Sequence, residues 1–240
     1  MMVDILAFGA HPDDVELGCG GTLAKEIQSG SSVVIVDLTR GELGSRGSAP
    51  LRMKEAEAAA QVLGVAQRFN LALADGFFQN DRDSQMKVIQ YLRKFQPKWV
   101  LCNAKDDRHI DHPKGSNLVS DACFLSGLVK IETVDPDSGE AQLPWRPQAV
   151  YHFIQWKNSV PDFVVDISGF LDKKMEAIQC YPSQFYDPDN TGPETPISSK
   201  NFFDSVRYRA QDLGRLVGCD SAEGFTVERL LAVNHLGDLK

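Results

Sequence analysis

The 240-residue chain contains no apolar stretch approaching the roughly 18 residues of a membrane span. Nor does it start with a basic region followed by an apolar signal core, so it is expected to stay in the cytoplasm, off the membrane. Dense runs of Lys or Arg are missing as well. With 25 basic against 33 acidic residues and a formal net charge of −8, the basic stripe that phosphate contacts require is absent, which excludes a nucleic-acid partner. The five cysteines form no CxxC pair and leave an odd one out, a pattern of reduced thiols rather than a disulfide framework or a thiolate metal cluster. Internal repeats and low-complexity blocks are also lacking. What remains is an ordinary globular composition, 42% hydrophobic and 24% charged, sized for one substantial core and read as a single domain over residues 1–240.

Apolar strand candidates at Val3 to Phe8, Val33 to Leu38, Phe69 to Leu73 and Trp99 to Asn103 alternate with amphipathic stretches at Leu17 to Gln28, Leu51 to Leu63 and Gln85 to Phe95. This rhythm predicts an α/β fold, Rossmann-like, with a mostly parallel sheet, helices on both faces and right-handed crossovers. Beyond Lys130 a turn-rich excursion runs through Val134 to Glu140. It is followed by strands at Ala149 to Ile154 and Phe163 to Ile167, then a helix capped by Asp166 or Ser168 and running to about Ile178. Tyr181 to Ser199, rich in Pro, Asp, Asn, Gly and Ser, is too long for a simple connection and reads as a binding loop or an oligomer contact. A last helix through Phe203 to Leu213 precedes a closing segment at Phe225 to Val233.

Chemistry concentrates at two strand ends. Ala10-His11-Pro12-Asp13-Asp14 follows the first strand and His109-Ile110-Asp111-His112 follows the fourth, at the carboxyl edge where open α/β sheets bind ligands. A His and an Asp three apart on a proline-containing turn can face one ion, and His112 can complete a His, His, carboxylate set with His11 and Asp14. The bland readings are a helix N-cap for Asp13 or Asp14 and a solvated polar loop for the second motif. His152, inside an apolar run, reads as a core or rim histidine, and His235 as solvated. Gly18-Cys19-Gly20-Gly21 lacks the GxGxxG spacing of a dinucleotide loop and suits close helix-to-sheet packing instead.

The two motifs together resemble the marks of the LmbE-like, or PIG-L, N-acetylglucosamine deacetylase superfamily: AHPDD after the first strand and HxDH after a later one, both unaltered here. Thr39-Arg40-Gly41-Glu42, the Arg52 to Ala60 helix, Asp75-Gly76 and Tyr181-Pro182-Ser183-Gln184-Phe185 extend the likeness over most of the chain. They are most similar to the bacillithiol-pathway branch, which deacetylates N-acetylglucosaminyl malate. Two positions depart from the pattern: Asp107 stands where some relatives carry an oxyanion-donating tyrosine, and Ser221-Ala222-Glu223-Gly224-Phe225 replaces a Tyr-Gly-Glu form.

The resemblance implies zinc, with iron(II) compatible, held by His11, Asp14 and His112. It further implies Asp13 as general base and His109, oriented by Asp111, as the charged partner of the oxyanion and leaving amine. Sugar contacts are implied for Arg52, Asp75 and Glu42, and a homo-oligomer is expected. Arg46, Arg52 and Arg108 flank the motifs of an otherwise acidic chain, so they are candidates for binding an acidic aglycone, with Arg108 the first choice. The rivals are a thiol-conjugate amidase or chitobiose-type deacetylase of the same family, an iron(II) oxygenase using the same triad, and a non-catalytic metal- or nucleotide-binding module.

Overall fold

The computed structural model describes residues 2–190 and 192–238. β1 (Ile5–Gly9) and β2 (Val33–Thr39) are buried at every position, as parallel strands covered on both faces must be. With β3 (Gln67–Leu73), β4 (Trp99–Cys102) and β5 (Ala149–Phe153) they form the parallel part of one sheet. β7 (Ala222–Val227) pairs antiparallel with both β5 and β6 (Phe163–Asp166), giving the order β3-β2-β1-β4-β5-β7-β6. The chain direction of crossovers reverses between β1 and β4, so the first and second motifs emerge side by side at the topological switch point.

Successive side chains of a strand point to opposite faces, and the core divides accordingly. Leu6, Phe8, Val34 and Val36 pack on one face against Ile89 and Leu92 of α3 (Arg82–Phe95) and Leu118 and Val119 of α4 (Asp111–Ser126). Ile5, Ala7, Val33 and Ile35 pack on the other against Val15 and Leu23 of α1 (Asp14–Gln28). α2 (Ala49–Leu63), α5 (Leu171–Gln179) and α6 (Lys200–Val217) complete that second layer through Ala59, Leu63, Ile178 and Val206.

Two glycines of α1, Gly18 and Gly21, are packing residues. A Cβ on Gly18 would lie 2.1 Å from the Phe153 ring, and one on Gly21 would lie 2.7 Å from Ile167. The helix is kinked at Cys19, and the amides freed there, Gly21 and Thr22, donate to the Glu223 carboxylate at 3.0 and 2.7 Å. Lys174 of α5 pairs with the same carboxylate at 2.6 Å, so this departure from the family pattern serves the fold.

Three expectations need correction. α4, not anticipated as a helix, begins on the second motif, with Pro113 in its first turn, where a missing N–H removes no helical bond. α5 starts at Leu171, later than an Asp166 or Ser168 cap would put it. Asp166 instead accepts the Ser168 amide in a turn. The closing strand is Ala222–Val227, three residues earlier than read, and the chain beyond Val227 leaves the sheet.

Candidate active site

The carboxyl ends of β1 and β4 deliver His11, Asp13, Asp14, His109 and His112 to one cavity of about 420 Å³. Asp14 is its centre. Oδ2 lies 3.5 Å from His11 Nδ1 and Oδ1 lies 3.2 Å from His112 Nε2, so both imidazoles meet on one carboxylate. Each ring's other nitrogen is held by a further acid. His11 Nε2 is 3.1 Å from Asp75 and 3.4 Å from Asp111, and His112 Nδ1 is 2.7 Å from Asp107. This arrangement fixes the tautomer and orientation of metal-binding histidines. Asn103 and Gln155 donate to Asp14 at 2.9 and 2.6 Å, which fixes the carboxylate as well.

Five buried aspartates, 13, 14, 75, 107 and 111, crowd this region, so it is electrostatically a cation site. Burial opposes charge on His112, but Asp14 and Asp107 prevail and raise it to about 9. His11 is likewise raised well above its ordinary value, with Asp111, Asp14 and Asp75 outweighing its burial. Protons thus occupy positions that a divalent ion would take, and the mixed imidazole and carboxylate donors suit zinc or iron(II). His11, His109 and His112 also offer nitrogens within 4.8 Å of one another.

Asp13 sits beside Asp14 with φ +116°, a backbone strain that a non-glycine residue holds only where its surroundings enforce it. Its Oδ2 accepts from Arg52 Nη2 at 2.8 Å, and Arg52 also reaches the Pro12 and Gly41 carbonyls. Burial, opposed by the Arg52 guanidinium, raises the Asp13 carboxyl to about 7.

The other residues singled out in the sequence lie around this centre. Asp111 does hold His109, but through its backbone amide, which donates to Nδ1 at 3.3 Å. Its carboxylate turns instead to His11, the Gly76 amide and Lys114. The neutral His109 ring therefore carries its proton on Nε2. Burial, with His11 and His112 close by, lowers it to about 4, which runs against the fixed cation expected. Arg52 is engaged by Asp13, and Asp75, though on the cavity wall, by His11. Glu42 is exposed, away from the cavity lining, and accepts the Asp75 amide at 3.0 Å. Arg46 and Arg108 both line the cavity, Arg108 stacked 4.5 Å over the Trp156 ring.

Sequence reasoning missed Asn103, Gln155 and Trp156, which reach the site from the ends of β4 and β5. It also misjudged Asp107, noted only as a missing tyrosine. The spacing of Asp107 five residues before His112 across a helix start was the available signal; Gln155 had none.

The family model for GlcNAc-PI de-N-acetylase, PIG-L, matches residues 6–123. A diacetylchitobiose deacetylase of Thermococcus kodakarensis is 30% identical over 191 residues, covering 75% of this chain and 70% of that protein. The chain belongs to the PIG-L, or LmbE-like, deacetylase superfamily. Among solved structures, a conserved protein from Thermus thermophilus, TT1542, superposes with a TM-score of 0.83 at 36% identity, covering 97% of this chain and 98% of that one. The likeness also extends to a different chemistry: a 4-oxalmesaconate hydratase of Pseudomonas putida is 28% identical over 198 residues, 75% of this chain and 73% of that protein.

Proposed function

We propose that the protein hydrolyses the N-acetyl group of an N-acetylglucosaminyl conjugate, N-acetylglucosaminyl malate of bacillithiol biosynthesis, releasing acetate and a free amine. The observation that carries this reading is the Asp14 carboxylate shared by two acid-braced histidines beside the strained Asp13. His11, Asp14 and His112 are the residues that would hold zinc, or iron(II). Such an ion, when bound, brings the pKa of water to about 7 and polarises the acetamide carbonyl.

The protein's own groups supply the rest. Arg52 occupies Oδ2 of Asp13 and leaves Oδ1 to take a proton from the attacking water and return it to the departing amine. His109 Nε2–H donates to the carbonyl oxygen as negative charge develops there, a contribution whose loss typically costs about 100-fold to 1000-fold in rate. Leu43, Ile110, Trp156 and Phe202 give the cavity apolar wall. We take the enzyme to act in the cytoplasm as a homo-oligomer, which size-exclusion chromatography with light scattering checks.

The test is acetate release by metal-reconstituted protein from N-acetylglucosaminyl malate, diacetylchitobiose and free N-acetylglucosamine. Preferential turnover of the malate conjugate supports the reading. Preference for diacetylchitobiose corrects the substrate, and no acetate from any of the three overturns the activity.

A further inference from the structure

Six buried side-chain polar atoms among the described residues lack a hydrogen-bond partner, and three of them, Arg46 Nε, Arg52 Nε and Thr195 Oγ1, belong to residues that line the catalytic cavity. Buried polar atoms are nearly always paired, so three orphans on residues around one cavity single out that wall. Arg52 is otherwise committed to Asp13, Pro12 and Gly41. Arg46 is not. Its side chain is among the buried ones, with the residue 8% exposed, yet the guanidinium makes no ion pair or hydrogen bond with any described residue.

A guanidinium stays protonated near neutrality, so Arg46 brings to the cavity wall a charge with no counter-ion among the described residues. The fold nevertheless fixes Arg46 in place. Its carbonyl accepts from Gln184 Nε2 at 2.8 Å, and Gly192 lies beside its side chain, where an added Cβ would be 3.5 Å from Nε. Thr195 is held by its own amide, which donates to Ser198 Oγ at 2.9 Å, while its hydroxyl is left over. Arg108, the cavity's other guanidinium not paired with Asp13, has a face already engaged by Trp156.

We propose that Arg46 and Thr195 form a subsite for an oxyanion, a carboxylate or phosphate on the group joined to the anomeric carbon of the sugar. The planar fork of Arg46 matches two oxygens of such a group, and the Thr195 hydroxyl donates to one of them. The proposal rests on the deacetylase reading for the sugar, but not for binding of the anion itself.

The experiment has two arms. In the first, kcat/KM is measured for wild type, Arg46→Gln and Thr195→Val on the malate glycoside, N-acetylglucosamine 1-phosphate and the neutral methyl glycoside. The anionic-to-neutral ratio should fall about 10-fold or more in Arg46→Gln, the scale of a lost charge-assisted hydrogen bond, and less in Thr195→Val. Whichever anionic substrate suffers the fall identifies the oxyanion as carboxylate or phosphate; an unchanged ratio overturns the subsite.

In the second arm, free malate is titrated calorimetrically into metal-loaded wild type and Arg46→Gln. Binding through Arg46 weakens by about 10-fold or more on substitution, whereas binding through the metal survives it. A protein that binds malate through Arg46 but releases no acetate loses the deacetylase reading and keeps the subsite; an equal dissociation constant in both proteins removes the subsite whatever the activity. Thermal denaturation separates a structural role. Removing a charge that has no protein partner leaves Tm no lower than wild type, and a lower Tm with uniform loss on all three substrates contradicts the proposal.

Discussion

Asp13 and Asp14 are neighbours in sequence with opposite surroundings. Asp14 meets two imidazoles and two amides, whereas Asp13 meets one guanidinium in a strained backbone, so a substitution at each should fail differently. Asp13→Asn should keep stoichiometric metal and lose nearly all turnover, and His112→Ala should lose both together; elemental analysis beside the acetate assay distinguishes them. A metal-free Asp13→Asn protein, or a fully loaded His112→Ala protein, reverses the assigned roles. Asp107 offers a second test. Because its carboxylate holds His112 Nδ1 at 2.7 Å, Asp107→Asn should weaken metal affinity by about 10-fold to 100-fold in a chelator competition, with the fold unchanged by circular dichroism. The two motifs were legible in the sequence because their donors are adjacent in the chain. Asp107, Asn103 and Gln155 were not, because what makes them functional is the side-by-side emergence of β1, β4 and β5, which no local pattern encodes.

Among the elements, α1 matters most to the site, since its first residue is Asp14 and its interior is kinked at Cys19. The kink exposes amides that a straight helix would satisfy, and the Glu223 carboxylate replaces the missing carbonyls while pairing with Lys174. Glu223→Gln breaks a buried pair and leaves an uncompensated ammonium. We expect about 3 kcal/mol of lost stability in urea denaturation, and a loss below about 0.5 kcal/mol would show that the pair does not hold the kink. Strands and most helices could be read from periodicity because β1, β2 and β4 are nearly uninterrupted apolar runs. α4 escaped because Gly115 and Ser116 lie buried against the sheet, so its inward face carries no continuous apolar stripe and the motif at its start reads as a loop.

For the whole molecule, an acidic chain folds around a site dense in buried charge, and His152 links the end of β4 beside that site to α4 and to the segment after β7. Its Nδ1 faces the Asn103 carbonyl, Ser116 and Cys102, and its Nε2 lies 2.9 Å from Glu228, itself near Ser120 and Lys105. Burial opposes its charge, but Cys102, Glu228 and the Asn103 carbonyl raise it to about 10. A raised value means that the folded state holds the proton more tightly than the unfolded chain. The stabilisation is therefore full below about 6.5 and is lost as pH rises toward about 10. Wild type should accordingly lose about 2 kcal/mol more than His152→Gln between those limits, the scale of a charge-assisted hydrogen bond to a partly exposed carboxylate. Parallel denaturation curves across that range would show His152 to be neutral when folded.

The central claim, that this site cleaves an acetamide, is tested most directly by one stoichiometric assay. Metal-loaded protein is incubated with N-acetylglucosaminyl malate, and acetate and primary amine are quantified together. The account predicts one acetate for each amine, at a rate that vanishes in Asp13→Asn while its metal stays bound. Absence of both products here and from diacetylchitobiose and free N-acetylglucosamine alike, or equal rates in wild type and Asp13→Asn, would contradict it.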